Sequence, residues 1–346
     1  MKRYALDALD KPQRASGKIA PAELSAISGL PPSYVSGAPA LAPDADGLEW
    51  LAEYEGLILR QHVVSLPAFS GCEPANRFML APLASGTVLP EELTSAFLVP
   101  VRAAMEAVPT LQAREEGSCT DRTCCPLTRG FYMDFSDAEQ KPYFTVVRES
   151  ACEPCGCWPI CYTRAQTLGV LDRRGALVAR AVEPVAVCKA CWTRSYLAID
   201  AEGELLYTLR ASDCGSQTGC NFCAPSCLNE TYDVDVYGPD GGYLDSMTWV
   251  WPGWTCGGPA DRSDILMRFP KGSSVTQRAA LFSGTLLVEY TSMELKRMQD
   301  GNAGTATGHS GGAGGQAKYA GDGDTGGTVA PTASTMDRSE SVRKGA

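Results

Sequence analysis

Four pairs of short β-branched and aromatic runs, each pair split by a polar turn, restrict the fold of this 346-residue chain more than any other feature. Phe131 to Phe135 and Tyr143 to Val147 form the first pair. Thr167 to Leu171 and Ala176 to Val182 flank Asp172-Arg173-Arg174-Gly175. Tyr196 to Ile199 and Glu204 to Leu209 flank Asp200-Ala201-Glu202-Gly203, and Thr231 to Tyr237 and Tyr243 to Val250 flank Gly238 to Gly242. Runs of this length, joined by Asp/Gly turns, predict an antiparallel meander. So many strands must hide their edges, which favours a closed barrel or a sandwich. Upstream, Asp46 and Glu49 have capping-box spacing, predicting a short helix through Leu51 to Glu55 that stops at Gly56, then a strand over Leu57 to Leu66. Pro90 to Val108, with Leu93, Phe97, Leu98, Val101 and Met105, predicts an amphipathic helix with Pro100 inside it. It reads as an insertion at a hairpin tip, a surface decoration.

The second constraint is Ala279 to Val288, ten apolar or small residues bounded by Arg278 and Glu289. As a helix it spans about 15 Å, half of a hydrocarbon core of roughly 30 Å. Its five large apolar residues supply at most about −3 kcal/mol of insertion energy, while Arg278 or Glu289 at depth can cost around 2.5 to 3.5 kcal/mol each. Spanning is therefore unfavourable. A helix apolar on all sides and too short for lipid belongs inside protein, so it is expected to be the central pin of a closed β-barrel.

The flanks differ in composition. Residues 1–45 are rich in Ala, Pro and Ser without periodicity, and 296–346 are rich in Gly, Ala, Ser and Thr; both are expected to be disordered around a folded domain over 46–295, with the insertion at about 81–110. The proximal arm contains Pro31-Pro32-Ser33-Tyr34, whose polyproline turn would present Pro31, Pro32 and Tyr34 to the aromatic groove of a WW domain. Met1 to Asp10 shows no apolar run of a secretory signal. A formal charge of −10 argues against nucleic acid as the main partner and against simple attraction to anionic lipid.

Fifteen cysteines fall in clusters at 119–125, 152–161, 188–191 and 214–227, with Cys72 and Cys256 apart. The odd count argues for reduced thiols rather than an oxidised secreted scaffold, and so for metal ligation or acyl attachment. Cys152/Cys155, Cys188/Cys191 and Cys220/Cys223 each have the two-residue spacing of a zinc half-site. Cys188, Cys191, Cys220 and Cys223 together would make a closed structural Zn2+ site.

These residues in this order resemble the phospholipid scramblase family. The resemblance covers roughly Leu48 to Glu294 and rests on Leu48-Glu49-Trp50-Leu51, Ser118 to Cys125, the Cys152 to Cys161 run, the Cys214 to Cys227 cluster, Phe269-Pro270 and the Pro-Pro-x-Tyr arm. The insertion between about Leu80 and Thr110 is not usual in that family. The resemblance implies a tubby-like, mainly β fold: a closed antiparallel barrel of about twelve strands around a C-terminal apolar helix. It further implies a calcium-responsive protein that moves phospholipids both ways between leaflets without selectivity. Such a protein would sit at the cytoplasmic face of the plasma membrane, with the cytoplasm or nucleus as other locations, and would do no bond chemistry.

Two sites follow from the resemblance. Cys152, Cys155, Cys157 and Cys161 stand where the family carries palmitoyl groups; a cluster is useful because one acyl chain anchors only reversibly. Asp261, Ser263 and Asp264 stand where the family has a loose Ca2+ segment. Two carboxylates and a hydroxyl fall short of the six to eight oxygens that calcium prefers, so the expected site is weak.

A different class of function remains open: a non-catalytic adaptor that binds lipid or membrane proteins and recruits WW-domain partners. Hydrolase chemistry is disfavoured. His62 lies in a strand and His309 in the tail, neither placed as a general base, and no phosphate-cradling glycine loop follows a strand.

Overall fold

The computed structural model describes residues 47–63, 75–83, 93–107, 109–125, 127–150, 165–184, 193–253 and 263–296, with backbone alone at His62, Val63 and Cys124. Twelve strands form one closed barrel in which each pairs antiparallel with its neighbours in sequence, and the first pairs with the last. They are β1 (Gly56–Val63), β2 (Asn76–Leu83), β3 (Leu111–Arg114), β4 (Phe131–Ser136), β5 (Pro142–Arg148) and β6 (Gln166–Leu171). The remainder are β7 (Leu177–Glu183), β8 (Thr193–Asp200), β9 (Leu205–Ser212), β10 (Thr231–Tyr237), β11 (Tyr243–Val250) and β12 (Asp264–Arg268). Closure removes every sheet edge, as the meander required.

The hairpins form for local reasons. In β4, Phe131, Met133 and Phe135 are buried while Tyr132 and Asp134 are exposed, the period-two alternation that fixes register. At the β6–β7 turn, Asp172 accepts backbone N–H bonds from Arg174 and Ala176, and Gly175 takes φ +80°, a left-handed conformation that costs glycine little. A bulge sits beside the turn in all four hairpins, at Phe135/Ser136, Val170/Leu171, Ala198/Ile199 and Val236/Tyr237. Each adds twist where the chain reverses.

Helix α3 (Val275–Val288) starts at a capping box in which Ser274 and Gln277 satisfy each other's backbone N–H. Every residue from Ala279 to Val288 is buried. Phe282 meets Phe135 of β4 and Phe144 of β5 edge-on at 5.4 Å. Ser283 donates to the Leu168 carbonyl of β6, Gly284 lies against Leu209 of β9, and Trp249 of β11 donates to Glu289 just past the helix. Side chains from around the barrel thus enclose the helix, as expected of a central pin. Burying Leu281, Phe282, Leu286, Leu287 and Val288 is worth about 1.5 to 3 kcal/mol apiece, far above the small insertion energy in lipid. Among the described residues no helix is long and apolar enough to cross a membrane.

Two expectations need correction. The first helical turn is a 3-10 turn over Glu49–Glu53 with Leu48 at its N-cap and no side-chain cap bond; Asp46 lies outside the described residues. Helix α1 (Ser95–Ala107), with Pro100 inside it, is not a hairpin-tip decoration. Its Leu98, Val101 and Met105 form a second apolar cluster with Ile58, Ala81, Leu83, Val250 and Leu266 on the outer wall. That is why Leu57, Ile58 and Leu59 are all buried: alternate residues face α3 inside and α1 outside.

Candidate functional site at one barrel end and an outer groove

In a sequential antiparallel barrel, alternate connections leave opposite ends. The connections β1–β2, β3–β4, β5–β6, β7–β8, β9–β10 and β11–β12 share one end, where, among the described residues, Cys119, Cys124, Cys125, Cys214, Cys220, Cys223 and Cys227 lie. The tight hairpins at the other end carry Asp137, Glu139, Lys141, Asp172, Arg173, Arg174, Glu202, Glu204 and Asp240 instead. Both ends carry charge, and the thiols among the described residues lie at the first.

Helix α3 runs toward the cysteine end, where a buried polar cluster holds the segment beyond its last turn. Glu294, Glu115 at the end of β3 and Arg129 before β4 are each buried. Arg129 Nε donates to Glu115 at 2.6 Å and Nη2 to Glu294 at 2.9 Å. Asn76 Nδ2 donates to both carboxylates and Tyr290 Oη to Glu115. Burial opposes the charge on Arg129, but the charges and hydrogen bonds of Glu294 and Glu115 outweigh it and raise its pKa further. The guanidinium is a permanent cation balancing two buried carboxylates.

Ser263 and Asp264 lie at the start of β12, on the same end. Asp264 is 2% exposed and its carboxylate pairs with Arg102 of α1. Arg102 also donates to Ser95 Oγ and the Pro252 carbonyl. A guanidinium therefore neutralises the Asp264 carboxylate in this structure. Asp261 lies outside the described residues. So do Pro31, Pro32 and Tyr34, the acyl candidates Cys152, Cys155, Cys157 and Cys161, and the zinc candidates Cys188 and Cys191.

Cys220 and Cys223 are free and exposed, as are Cys214 and Cys227. Among the described residues no three His, Cys, Asp or Glu side chains are grouped to hold a metal ion. The expectation of uniformly reduced thiols is corrected at Cys119, the first residue of the short helix α2 (Cys119–Cys124), and at Cys125, its C-cap; both are disulfide-bonded.

An outer groove of about 680 Å³ runs along β2, β3 and β4. Arg77 and Arg114 line it directly opposite each other on β2 and β3. Like charges facing across a ladder are destabilising, and among the described residues neither has a carboxylate within ion-pair distance. Glu116 and Asp134 line the same groove and accept from Tyr132 and Thr145 respectively. The groove presents both signs of charge.

A family model described as Scramblase matches residues 101–294, more than half of the chain and continuous from α1 to the end of the C-terminal helix. The chain belongs to the scramblase family. No curated protein and no solved structure matches the chain significantly. Scramblase membership supports interaction with phospholipid membranes and lipid translocation rather than bond chemistry. The scramblase barrel also shows relations that a linear reading misses. Arg77 and Arg114 are brought together by β2–β3 pairing across the insertion, and Glu115, Arg129 and Glu294 by closure around α3. Only their residue types are visible in the sequence. The lack of charge from Cys214 to Asn229, by contrast, is legible in the sequence itself.

Proposed function

We propose that this scramblase moves phospholipids in both directions between leaflets without headgroup selectivity, from the cytoplasmic face of the plasma membrane. The observation that carries the reading is the family match over residues 101–294. Acyl chains on Cys152, Cys155, Cys157 and Cys161 would anchor the protein, because two or more chains hold stably where one does not. The outer groove supports headgroup contact: Arg77 and Arg114 suit a phosphodiester, and Glu116 and Asp134 suit the ammonium of a zwitterionic headgroup. Calcium response rests on the resemblance and not on Ser263 and Asp264. WW-domain partners at Pro31, Pro32 and Tyr34 rest on the motif alone.

Dithionite quenching of fluorescent lipid in vesicles containing the full chain, with and without calcium, tests this. Loss of inner-leaflet signal is expected. No loss in either condition would remove scrambling and leave a membrane-bound adaptor.

A further inference from the structure

The β9–β10 connection from Cys214 to Asn229 holds no Asp, Glu, Lys, Arg or His in sixteen residues, in a chain that is 20% charged. Phe222 is 65% and Leu228 86% exposed, the highest values among the exposed large hydrophobic residues described. Scattered apolar residues on a surface are ordinary, but here the two most exposed of those described lie on one connection without charge.

Their exposure is built in. Asn229 Nδ2 donates to the carbonyls of Cys220 at 2.6 Å and Phe222 at 3.1 Å. Asn221 Nδ2 donates to the Ser212 and Asp233 carbonyls, and its Oδ1 accepts from Asp233 N–H. The connection is thus tied both to itself and to the ends of β9 and β10, with Phe222 and Leu228 left outside. The charges that bound it are engaged elsewhere: Asp213 pairs with Lys296 at 2.9 Å, and Glu230 accepts from Ser95 N–H at 2.7 Å.

We propose that this connection docks the barrel on a phospholipid bilayer, with Phe222 and Leu228 entering the interfacial region. The proposal rests on the membrane-associated reading above and names the surface involved. A net charge of −10 repels an anionic leaflet, so attraction has to come from apolar insertion rather than from basic residues. Between Cys214 and Asn229 the connection has no charge to desolvate at the interface. Docking in this orientation sets the end of α3 toward the bilayer while the helix stays enclosed.

The thiols report on it directly. The full chain is mixed with phosphatidylcholine vesicles, or with vesicles that also contain phosphatidylserine. Alkylation of Cys220, Cys223 and Cys227 is followed by peptide-resolved mass spectrometry, and binding by flotation. The expected result is flotation with both vesicles and alkylation of these thiols slowed about fivefold or more. The doubly substituted Phe222→Asp, Leu228→Asp protein should bind about tenfold less while keeping its circular dichroism. If the chain floats but the three thiols react as fast as in free protein, the docking surface is wrong and the membrane reading stands. If it floats with neither vesicle, both fall.

Discussion

Arg129 and Glu294, 165 positions apart in the chain, meet with Nη1 and Oε2 3.0 Å apart inside the barrel. This contact fastens the segment after α3 to the β3–β4 connection, with Glu115 on the other side of the guanidinium. Replacing Arg129 with Met should cost about 3 to 5 kcal/mol, because two carboxylates are then buried without a counter-charge. Chemical denaturation measures it. The triple change Arg129→Met, Glu115→Gln, Glu294→Gln should recover much of the loss; no recovery would show that packing, not charge, is what Arg129 supplies.

Gly284 allows α3 to approach β9. A Cβ there would lie 2.7 Å from Leu209 Cδ2, and Leu209 is fully buried. Overpacking costs about 1 to 3 kcal/mol, against the roughly 1 kcal/mol that Ala gains over Gly within a helix. Gly284→Ala should therefore destabilise the native barrel and stabilise a Leu209→Ala variant, where the added methyl fills space. A double-mutant cycle with no coupling between the two positions would refute close approach.

Arg102 and Asp264 hold α1 to β12. Arg102→Ala leaves a carboxylate that is 2% exposed without its cation, so stability should fall by about 3 to 5 kcal/mol. Calcium should then raise the thermal midpoint of the variant and leave that of the native protein unchanged. A calcium-dependent rise in the native protein would mean that the ion binds without displacing Arg102.

Burial, with Glu183's charge adding to it, pushes the Tyr196 phenol up to about 12. Its hydroxyl lies 2.9 Å from Thr291 Oγ1 and 2.7 Å from Ser292 Oγ. The folded pKa exceeds the unfolded value near 10, so this stability is complete below about pH 10 and is lost as pH rises toward 12. Tyr196→Phe loses the hydrogen bonds, worth about 1 kcal/mol, and, having no phenol to ionise, carries no alkaline penalty. The stability gap between the two proteins should narrow above about pH 10; a constant gap would remove Tyr196 from the alkaline transition.

The hairpins are legible because their information is local. For β10 and β11, expectation and structure agree at every boundary: alternation sets the strands, and Gly238 to Gly242 turn the chain between them. The first strand starts at Gly56 rather than Leu57, and residues 64–66 of the expected strand lie outside the described residues. Its outer face is apolar because of α1, and no local pattern in β1 announces that partner. The helix of the insertion is legible from its spacing, whereas its place on the barrel wall depends on Ile58, Leu266 and Val250, which lie far away in the chain.

From its sequence alone this scramblase determines its strand pairs, their turns and the enclosure of Ala279 to Val288, because alternation, turn chemistry and the length of an apolar run act over a few residues. Tertiary structure decides the rest: β1 closing on β12, Arg77 facing Arg114, Arg129 between two carboxylates, and the described cysteines gathered at one end. Those relations arise from the parity and register of strands around a closed ring, which only long-range pairing can set.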